Sequence, residues 1–124
     1  MLDCMKLRVY VDGSGKPKSI YGYYIEETGD VKHFKGDNLT NHEAELMAFI
    51  EVFKDQVIQQ AEQVTIYSDS QNAVGWLNRR FGINEDHIRN LCLQAWEIMK
   101  KCKSKPMIQW IEREKNPAGK MLGS

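Results

Sequence analysis

Hydrophobic positions in the first third of the chain alternate with polar ones. Leu7, Val9 and Val11 fall on one side of a segment that ends at Asp12. Residues 19–26 are rich in Tyr and Ile, and residues 31–35 follow a polar turn. Because a period of two is typical of β-strands, the sequence predicts three strands joined as an antiparallel meander.

The hydrophobic period lengthens after Thr40 and Asn41, where an apolar stripe at helical spacing continues to Val57. A β-branched run at 64–68 predicts a strand, and 71–78 a short helix. A longer helix opens at Asn84 and carries its apolar stripe to Cys102, and residues 107–111 form the last strand. The tail from Asn116 is turn-like and ends before any substantial helix.

This element order predicts one α/β domain without linkers or repeats. Three antiparallel strands come first, and two further strands alternate with helices. Such an order is typical of a mixed five-stranded sheet with helices on its faces.

Composition and charge exclude several classes of protein. The 124 residues are 42% hydrophobic and 27% charged, which excludes collagen-like and wholly disordered chains. The 17 basic and 17 acidic side chains cancel, but residues 1–78 carry 7 basic and 12 acidic groups whereas 79–124 carry 10 and 5. A neutral total therefore does not exclude a phosphate-binding surface.

Nothing in the sequence predicts export or a membrane span. No apolar run approaches the roughly 18 residues that a spanning helix needs, and the N-terminus, with Asp3, does not resemble a secretory signal. Cys4, Cys92 and Cys102 are odd in number and lack zinc-ligand spacing. We therefore expect buried thiols and a cytoplasmic location.

Acidic residues stand where two predicted strands end. Asp12 closes the first strand, Asp69 follows the strand at 64–68, and Glu43 and Glu45 lie in the first turn of the first helix. Each has an ordinary explanation as a turn, cap or early-helix residue. Together they predict a cluster that binds Mg²⁺ or Mn²⁺, because carboxylates without Cys or His suit these ions, which serve displacement at phosphorus.

Four segments carry a family resemblance. Residues 10–14 (YVDGS) resemble the first-strand motif of type 1 ribonuclease H, and 40–48 (TNHEAELMA) are similar to its T-N-N-x-x-E-L-x-A helix start. Residues 66–71 (IYSDSQ) resemble its T/S-D-S motif, and 110–116 (WIEREKN) its closing strand and R-x-x-N. The resemblance implies an endonuclease that uses two Mg²⁺ or Mn²⁺ ions to hydrolyse the RNA strand of RNA/DNA hybrids, leaving 5′-phosphate and 3′-hydroxyl ends.

The resemblance implies that Asp12, Glu45 and Asp69 are catalytic metal ligands and that Glu43 is a surface acid. The family continues R-x-x-N-x-x-A-D, which puts Gly119 in the alanine place and Lys120 in the aspartate place; a shift of one residue puts Gly119 in the aspartate place. Neither register supplies an acid. Asn116 is the nearest oxygen donor, and it is interpreted either as a neutral ligand, catalytic with the three acids, or as a turn residue before Pro117.

Substrate contacts are predicted partly from the resemblance and partly from charge. The resemblance implies minor-groove contacts by Asn41 and Gln71 and a phosphate contact by Thr40. His42 is either a substrate contact or a helix-start polar residue. We expect the backbone of Gly13, Ser14 and Gly15 to approach RNA closely.

Arg80 and Lys101 supply positive charge that could contact phosphate. Lys101 belongs to a Lys-rich helix end, which is explained equally well by complementarity to the helix dipole. Trp76, Trp96 and Trp110 are interpreted as core residues rather than base-stacking surfaces. The family's His-Gly loop and long basic insertion have no match here.

The leading hypothesis is therefore a monomeric, hybrid-specific ribonuclease. One alternative is a nucleic-acid-binding module of the same fold whose catalysis is weakened by the missing acid. Another is a fragment of a larger polymerase or transposase, against which the initial methionine argues.

Overall fold

Five strands and five helices make up the fold, seen in a computed structural model that describes residues 5–121. The strands are β1 (Lys6–Ser14), β2 (Ile20–Ile25), β3 (Val31–Lys35), β4 (Gln63–Ser68) and β5 (Met107–Trp110). The helices are α1 (Asn41–Lys54), α2 (Gln56–Gln60), α3 (Gln71–Leu77), α4 (Asp86–Met99) and α5 (Pro117–Met121), with a 3₁₀ turn at Arg113–Lys115. Cys4 lies outside the described residues.

The strands form one mixed sheet in the order β3-β2-β1-β4-β5. The pairs β1–β2 and β2–β3 are antiparallel, whereas β1–β4 and β4–β5 are parallel. A parallel pair needs a crossover connection, which α1 and α2 provide between β3 and β4. The predicted α/β fold with a mixed five-stranded sheet is therefore confirmed.

The core forms where α1 packs on the sheet. Leu7, Val9 and Val11 alternate along β1 and are at most 2% exposed. Val9 pairs with the buried Ile66 of β4, and the α1 side chain of Phe49 is also fully buried. Burial of each such side chain contributes roughly 1.5–3 kcal/mol, so α1 is fixed firmly against the strands whose ends carry the acidic residues.

The apolar stripe predicted to continue to Val57 is divided into two helices at Asp55. The backbone of Asp55 is extended, which ends α1, and its Oδ1 accepts a hydrogen bond of 2.9 Å from the Val57 amide at the start of α2. Its other oxygen accepts a 2.6 Å hydrogen bond from the Tyr23 hydroxyl. A capping carboxylate therefore interrupts a stripe whose periodicity alone indicates one helix.

Other boundaries also differ from the prediction. β1 continues through Ser14 instead of stopping before Gly13, α4 spans only Asp86–Met99, and the turn-like tail forms the short helix α5. Within the described residues, no helix is long and apolar enough to span a membrane. Cys92 is buried, which raises the pKa of its thiol to about 11, and Cys102 is half-buried.

Candidate active site

Gly13 allows the end of β1 to lie against the first turn of α1. A Cβ atom at this position would come within 2.5 Å of the Ala44 carbonyl carbon and 2.6 Å of the Glu45 amide nitrogen. Both are backbone atoms that cannot yield, so a larger residue would force the strand and helix apart. The glycine therefore brings Asp12, its neighbour in sequence, towards Glu45.

Gly15 provides a second close approach between the same two elements. A Cβ there would lie 2.5 Å from the Asn41 amide nitrogen, and the Gly15 N–H donates a 2.8 Å hydrogen bond to Asn41 Oδ1. Gly15 itself is buried. The start of α1 therefore covers the backbone of Gly15, and the RNA contact expected there stays a prediction.

The start of α1 is fixed by a capping box. Thr40 Oγ1 accepts a hydrogen bond of 3.1 Å from the Glu43 amide, and Glu43 Oε1 accepts one of 2.8 Å from the Thr40 amide. His87 Nδ1 of α4 lies 3.1 Å from the other Glu43 oxygen. Glu43 thus serves the helix start, in keeping with its interpretation as a surface acid, and Glu45 points into the cleft two residues later.

The parallel register places Asp69 beside Asp12. Tyr10 of β1 pairs with Tyr67 of β4, and each of the two aspartates lies two residues beyond its tyrosine. Ser68 Oγ accepts a 3.0 Å hydrogen bond from the Ser70 amide, and Ser70 Oγ accepts one of 3.1 Å from the Ala73 amide at the start of α3. Asp69 is therefore held in a tight turn between strand and helix, at the same end of the sheet as Asp12.

The three carboxylates Asp12, Glu45 and Asp69 line one cleft of about 360 Å³, together with Gly13, Ser14, Lys18, Asn41 and Arg113. Glu45 Oε1 is buried and, among the described residues, has no hydrogen-bond partner; His42 Nδ1 lies 3.4 Å away without hydrogen-bond geometry. Burial raises the pKa of Glu45, as does the negative charge of Asp69, whereas Ser70 and His42 oppose that rise. The cleft therefore holds a buried carboxylate oxygen whose hydrogen-bonding capacity is unused among the described residues.

The arrangement of these carboxylates suits a divalent ion that keeps part of its hydration shell better than an ion fully enclosed by protein ligands. Over residues 5–121, no three His, Cys, Asp or Glu side chains lie close enough together to form a ready-made metal site. Mg²⁺ usually keeps several waters and is held by one or two carboxylates plus substrate phosphate. An open cleft with an unpartnered Glu45 oxygen fits that mode of binding, so the chain's residues fit the predicted ion.

Asn116 is 2% exposed, and its side chain has three hydrogen-bond partners. Its Nδ2 donates to the Val11 carbonyl at 2.9 Å and to Asp69 Oδ2 at 3.2 Å. Its Oδ1 accepts from the Ala118 amide at 3.1 Å, at the start of α5. Because Val11 offers an acceptor and Ala118 a donor, the amide is oriented with its nitrogen towards Asp69. This geometry favours the turn-residue interpretation of Asn116 over that of a metal ligand.

Several predicted substrate residues lie around the carboxylates. The cleft continues past Asp69 as a hollow of about 450 Å³ lined by residues of α1, α3 and β5, among them Asn41, His42 and Gln71. The His42 ring contacts Trp76 edge-on, with ring centroids 5.2 Å apart. Thr40 lies next to this group, but its hydroxyl is used in the capping box.

Arg80 and Lys101 are exposed and lie away from the carboxylates. Lys101 follows the C-terminal end of α4, whereas the N-terminal end of that helix contacts α1 through His87 and Glu43. Fourteen helical residues span about 21 Å, so Lys101 lies roughly that far along the α4 axis from the end that contacts Glu43. Arg80 follows α3 at the end opposite to Gln71. The structure does not bring these two cations together with the cleft.

Four side chains that the sequence analysis did not include among the site residues line the cleft or its extensions: Lys18, Arg113, Trp110 and Lys120. Trp110, interpreted above as core, is 46% exposed, and its indole N–H donates a 3.3 Å hydrogen bond to the Asp69 carbonyl. Trp76 and Trp96 are half-buried. Arg113 is the first residue of the R-x-x-N segment, so its position in a motif could have indicated that it belongs to the site. Lys18 lies in a loop, and no sequence pattern indicates its position in the cleft.

The chain resembles known proteins over nearly its whole length. The RNase H family profile matches residues 5–115. EbsB of Enterococcus faecalis, a protein provisionally named a hydrolase, is 28% identical over 123 residues, which cover 94% of this chain and 90% of EbsB.

Solved structures share the fold at lower identity. RNase H1 of the archaeon Halobacterium salinarum superposes with a TM-score of 0.82 at 18% identity, covering 95% of this chain and 94% of that one. LC11-RNase H1, solved in complex with an RNA/DNA hybrid, has a TM-score of 0.81 at 20% identity, with 94% and 93% covered. Since the family profile covers most of the sequence, this chain belongs to the RNase H family.

Proposed function

We propose that the chain is a ribonuclease that hydrolyses the RNA strand of RNA/DNA hybrids with the help of divalent metal ions. The observation that carries the proposal is the cleft at the ends of β1 and β4, where Glu45 presents a buried, unpartnered oxygen beside Asp12 and Asp69. Membership of the RNase H family supports a nuclease. The hybrid bound to LC11-RNase H1 supports this substrate for a chain of the same fold.

Asp12, Glu45 and Asp69 would hold Mg²⁺ or Mn²⁺ in this cleft. When bound, such an ion stabilises negative charge on phosphate oxygens and makes water a better nucleophile at neutral pH. Asn116 orients Asp69 through its amide, and Gly13 keeps Asp12 close to Glu45. With water as the nucleophile and the 3′-oxygen of the ribose as the leaving group, the products carry 5′-phosphate and 3′-hydroxyl ends. The family resemblance implies two ions.

Binding of a hybrid needs groups that read the ribose 2′-hydroxyl and groups that neutralise phosphate. Asn41 and Gln71 flank the carboxylates and can donate and accept hydrogen bonds, and Ser14 and His42 lie on the same cleft walls. Asn41 keeps its amide hydrogens for the substrate, because its oxygen already accepts from Gly15. Arg113 is exposed in the same hollow as Asp69, which supports a contact between its guanidinium and the phosphate backbone.

A catalytically weakened binding module is the second candidate function. The observation that favours it is Lys120, a basic side chain that lines the hollow next to Asp12 and Asp69 and that one of the two alignment registers puts in the place of the family's fourth acid. A cation there attracts phosphate and repels a metal ion. Tight hybrid binding without cleavage is the outcome that distinguishes this candidate from the enzyme.

The test compares three labelled substrates: an RNA/DNA hybrid, single-stranded RNA and duplex DNA. Each is incubated with Mg²⁺, with Mn²⁺ or with chelator, and the RNA end groups are then determined. The proposal predicts cleavage of the hybrid RNA alone, only with metal, and loss of that cleavage in Asp69→Asn. Cleavage that survives chelation, or that is equal on all three substrates, would refute it.

We also propose a cytoplasmic location and a monomeric state. Cys92 and Cys102 are both free thiols in the structure, as a reducing compartment requires. Light scattering at several protein concentrations tests the monomer, with a concentration-dependent mass as the contrary result.

A further inference from the structure

Three basic side chains share the cleft with the three carboxylates. Lys18 and Arg113 line the part that contains Asp12, Glu45 and Asp69. Arg113 also lines an adjoining hollow of about 110 Å³, next to α5, together with Lys120, Asp12 and Asp69. Arg113 and Lys120 therefore put positive charge on the α5 side of the acidic group. Lys18 and Arg113 also line the part that contains Glu45, whose Oε1 has no hydrogen-bond partner among the described residues.

Lys120 reaches this position because the segment that carries it is anchored. Asn116 and Ala118 are buried, with 2% and 0% of their surfaces exposed. The Asn116 side chain donates to the Val11 carbonyl in β1 and accepts from the Ala118 amide, which joins the start of α5 to the strand that contains Asp12. Lys120 is thus fixed to the wall of the site through its backbone, although its side chain is exposed.

Charge balance limits how many cations the cleft can accept. Two divalent ions would add four positive charges to a cleft in which three carboxylates already face three basic side chains. A single ion on the Glu45 side would meet the unpartnered oxygen. A second ion on the α5 side would have to lie beside Lys120 and Arg113, and like charges at short range repel strongly where the surroundings are partly buried.

We infer that this cleft binds one divalent ion, on the side of Glu45 and Asp69, and that Lys120 supplies the positive charge on the α5 side, where it contacts a phosphate oxygen of the substrate. This inference rests on the proposed function, because that function brings the metal and the phosphate to the cleft. It differs from the two-ion arrangement that the family resemblance implies.

The test counts bound Mn²⁺ by electron paramagnetic resonance in the full chain, first alone and then with excess RNA/DNA hybrid. Lys120→Asp supplies a carboxylate at this position, and Lys120→Met removes the charge without adding a ligand. We expect one Mn²⁺ per chain in the wild type and in Lys120→Met, and two in Lys120→Asp. We also expect weaker hybrid binding in Lys120→Met, with a smaller dependence of affinity on salt.

Two Mn²⁺ ions in the wild type, or none, would overturn the inference. An equal count in the wild type and in Lys120→Asp would overturn the role given to Lys120, as would unchanged hybrid affinity in Lys120→Met. Cleavage is measured separately on the same samples. One bound ion without hybrid cleavage would refute the proposed ribonuclease and leave the ion count standing, whereas cleavage with two bound ions would refute only the inference.

Discussion

Replacement of Asn116 by alanine separates the two interpretations of this residue that the sequence leaves open. The variant removes hydrogen bonds to the Val11 carbonyl, to Asp69 Oδ2 and from the Ala118 amide, at 2.9, 3.2 and 3.1 Å. A buried group left without its partner costs about 1–3 kcal/mol, and a lost helix cap about 1 kcal/mol. We expect a total loss of about 3 kcal/mol in the free energy of unfolding, equivalent to roughly 10 °C in Tm for a chain of this size.

The assay is urea unfolding of wild type and Asn116→Ala in buffer with chelator, so that metal binding makes no contribution. Asn90→Ala is the matched control, because Asn90 is exposed on α4 and its replacement should change the free energy of unfolding by less than about 0.5 kcal/mol. If Asn116 acts only as a metal ligand, Asn116→Ala will be as stable as wild type without metal. A loss below about 1 kcal/mol would therefore refute the structural role given to Asn116.

Other predictions follow from the packing and charge around the site. Gly13→Ala should lower the rate of hybrid cleavage by roughly 100-fold, because its Cβ would meet α1 backbone at 2.5 Å and displace Asp12; an unchanged rate would contradict the packing argument. Glu85 and Glu43 raise the pKa of His87 above its unfolded value of 6.5. The interaction of the protonated imidazole with these carboxylates therefore stabilises the fold fully below pH 6.5, and this stabilisation is lost as the pH rises through the higher pKa of the folded state. His87→Gln should flatten the pH dependence of stability above about pH 6.5 in thermal unfolding, and an unaltered profile would disprove the linkage. Arg113→Ala should weaken hybrid binding and reduce the salt dependence of log affinity by about one unit of slope. Lys101→Ala, beyond the C-terminal end of α4 and not in the cleft lining, should change neither; equal effects of the two substitutions in a salt titration would contradict the role given to Arg113.

The sheet could be predicted because its signal is local. Alternation at Leu7, Val9 and Val11 and the change to a helical period after Thr40 each depend on residues close in sequence. The break at Asp55 could not be predicted in the same way. The Asp55 carboxylate caps α2 and also accepts a hydrogen bond from Tyr23, which lies 32 residues earlier in the chain, so part of its environment comes from residues that a local pattern does not include.

The proximity of the acidic residues in the candidate site could be predicted from the sequence, whereas the orientation of Asn116 and the position of Lys18 could not. Asp12 lies near the end of β1 and Asp69 directly follows β4. The two strands are parallel, so these ends meet at one edge of the sheet and the proximity of the two aspartates follows from topology. The orientation of Asn116 depends on which of its neighbours offers a donor and which an acceptor, and a residue type alone does not contain that information. Lys18 reaches the cleft only through the path of a loop.

The role of Gly13 is a further point at which the fold changes an interpretation. The sequence suggests that its missing side chain lets the backbone approach RNA, whereas the structure uses that space to bring β1 against α1. Both uses need glycine, so the residue type cannot distinguish them. The two uses are distinguished by the short distances from the Cβ position of Gly13 to the backbone of Ala44 and Glu45.

The most direct test of the account is a Mg²⁺ titration of hybrid cleavage by the wild type and by Glu45→Gln. This substitution keeps the shape of the side chain and removes the charge of the carboxylate whose Oε1 is unpartnered. We expect cleavage of the RNA strand by the wild type to rise from zero in chelator to a plateau with Mg²⁺. We expect Glu45→Gln, folded to the same Tm or above, to stay near zero throughout. Equal cleavage by the two proteins, or wild-type cleavage without Mg²⁺, would contradict the claim that these carboxylates form a metal-dependent active site.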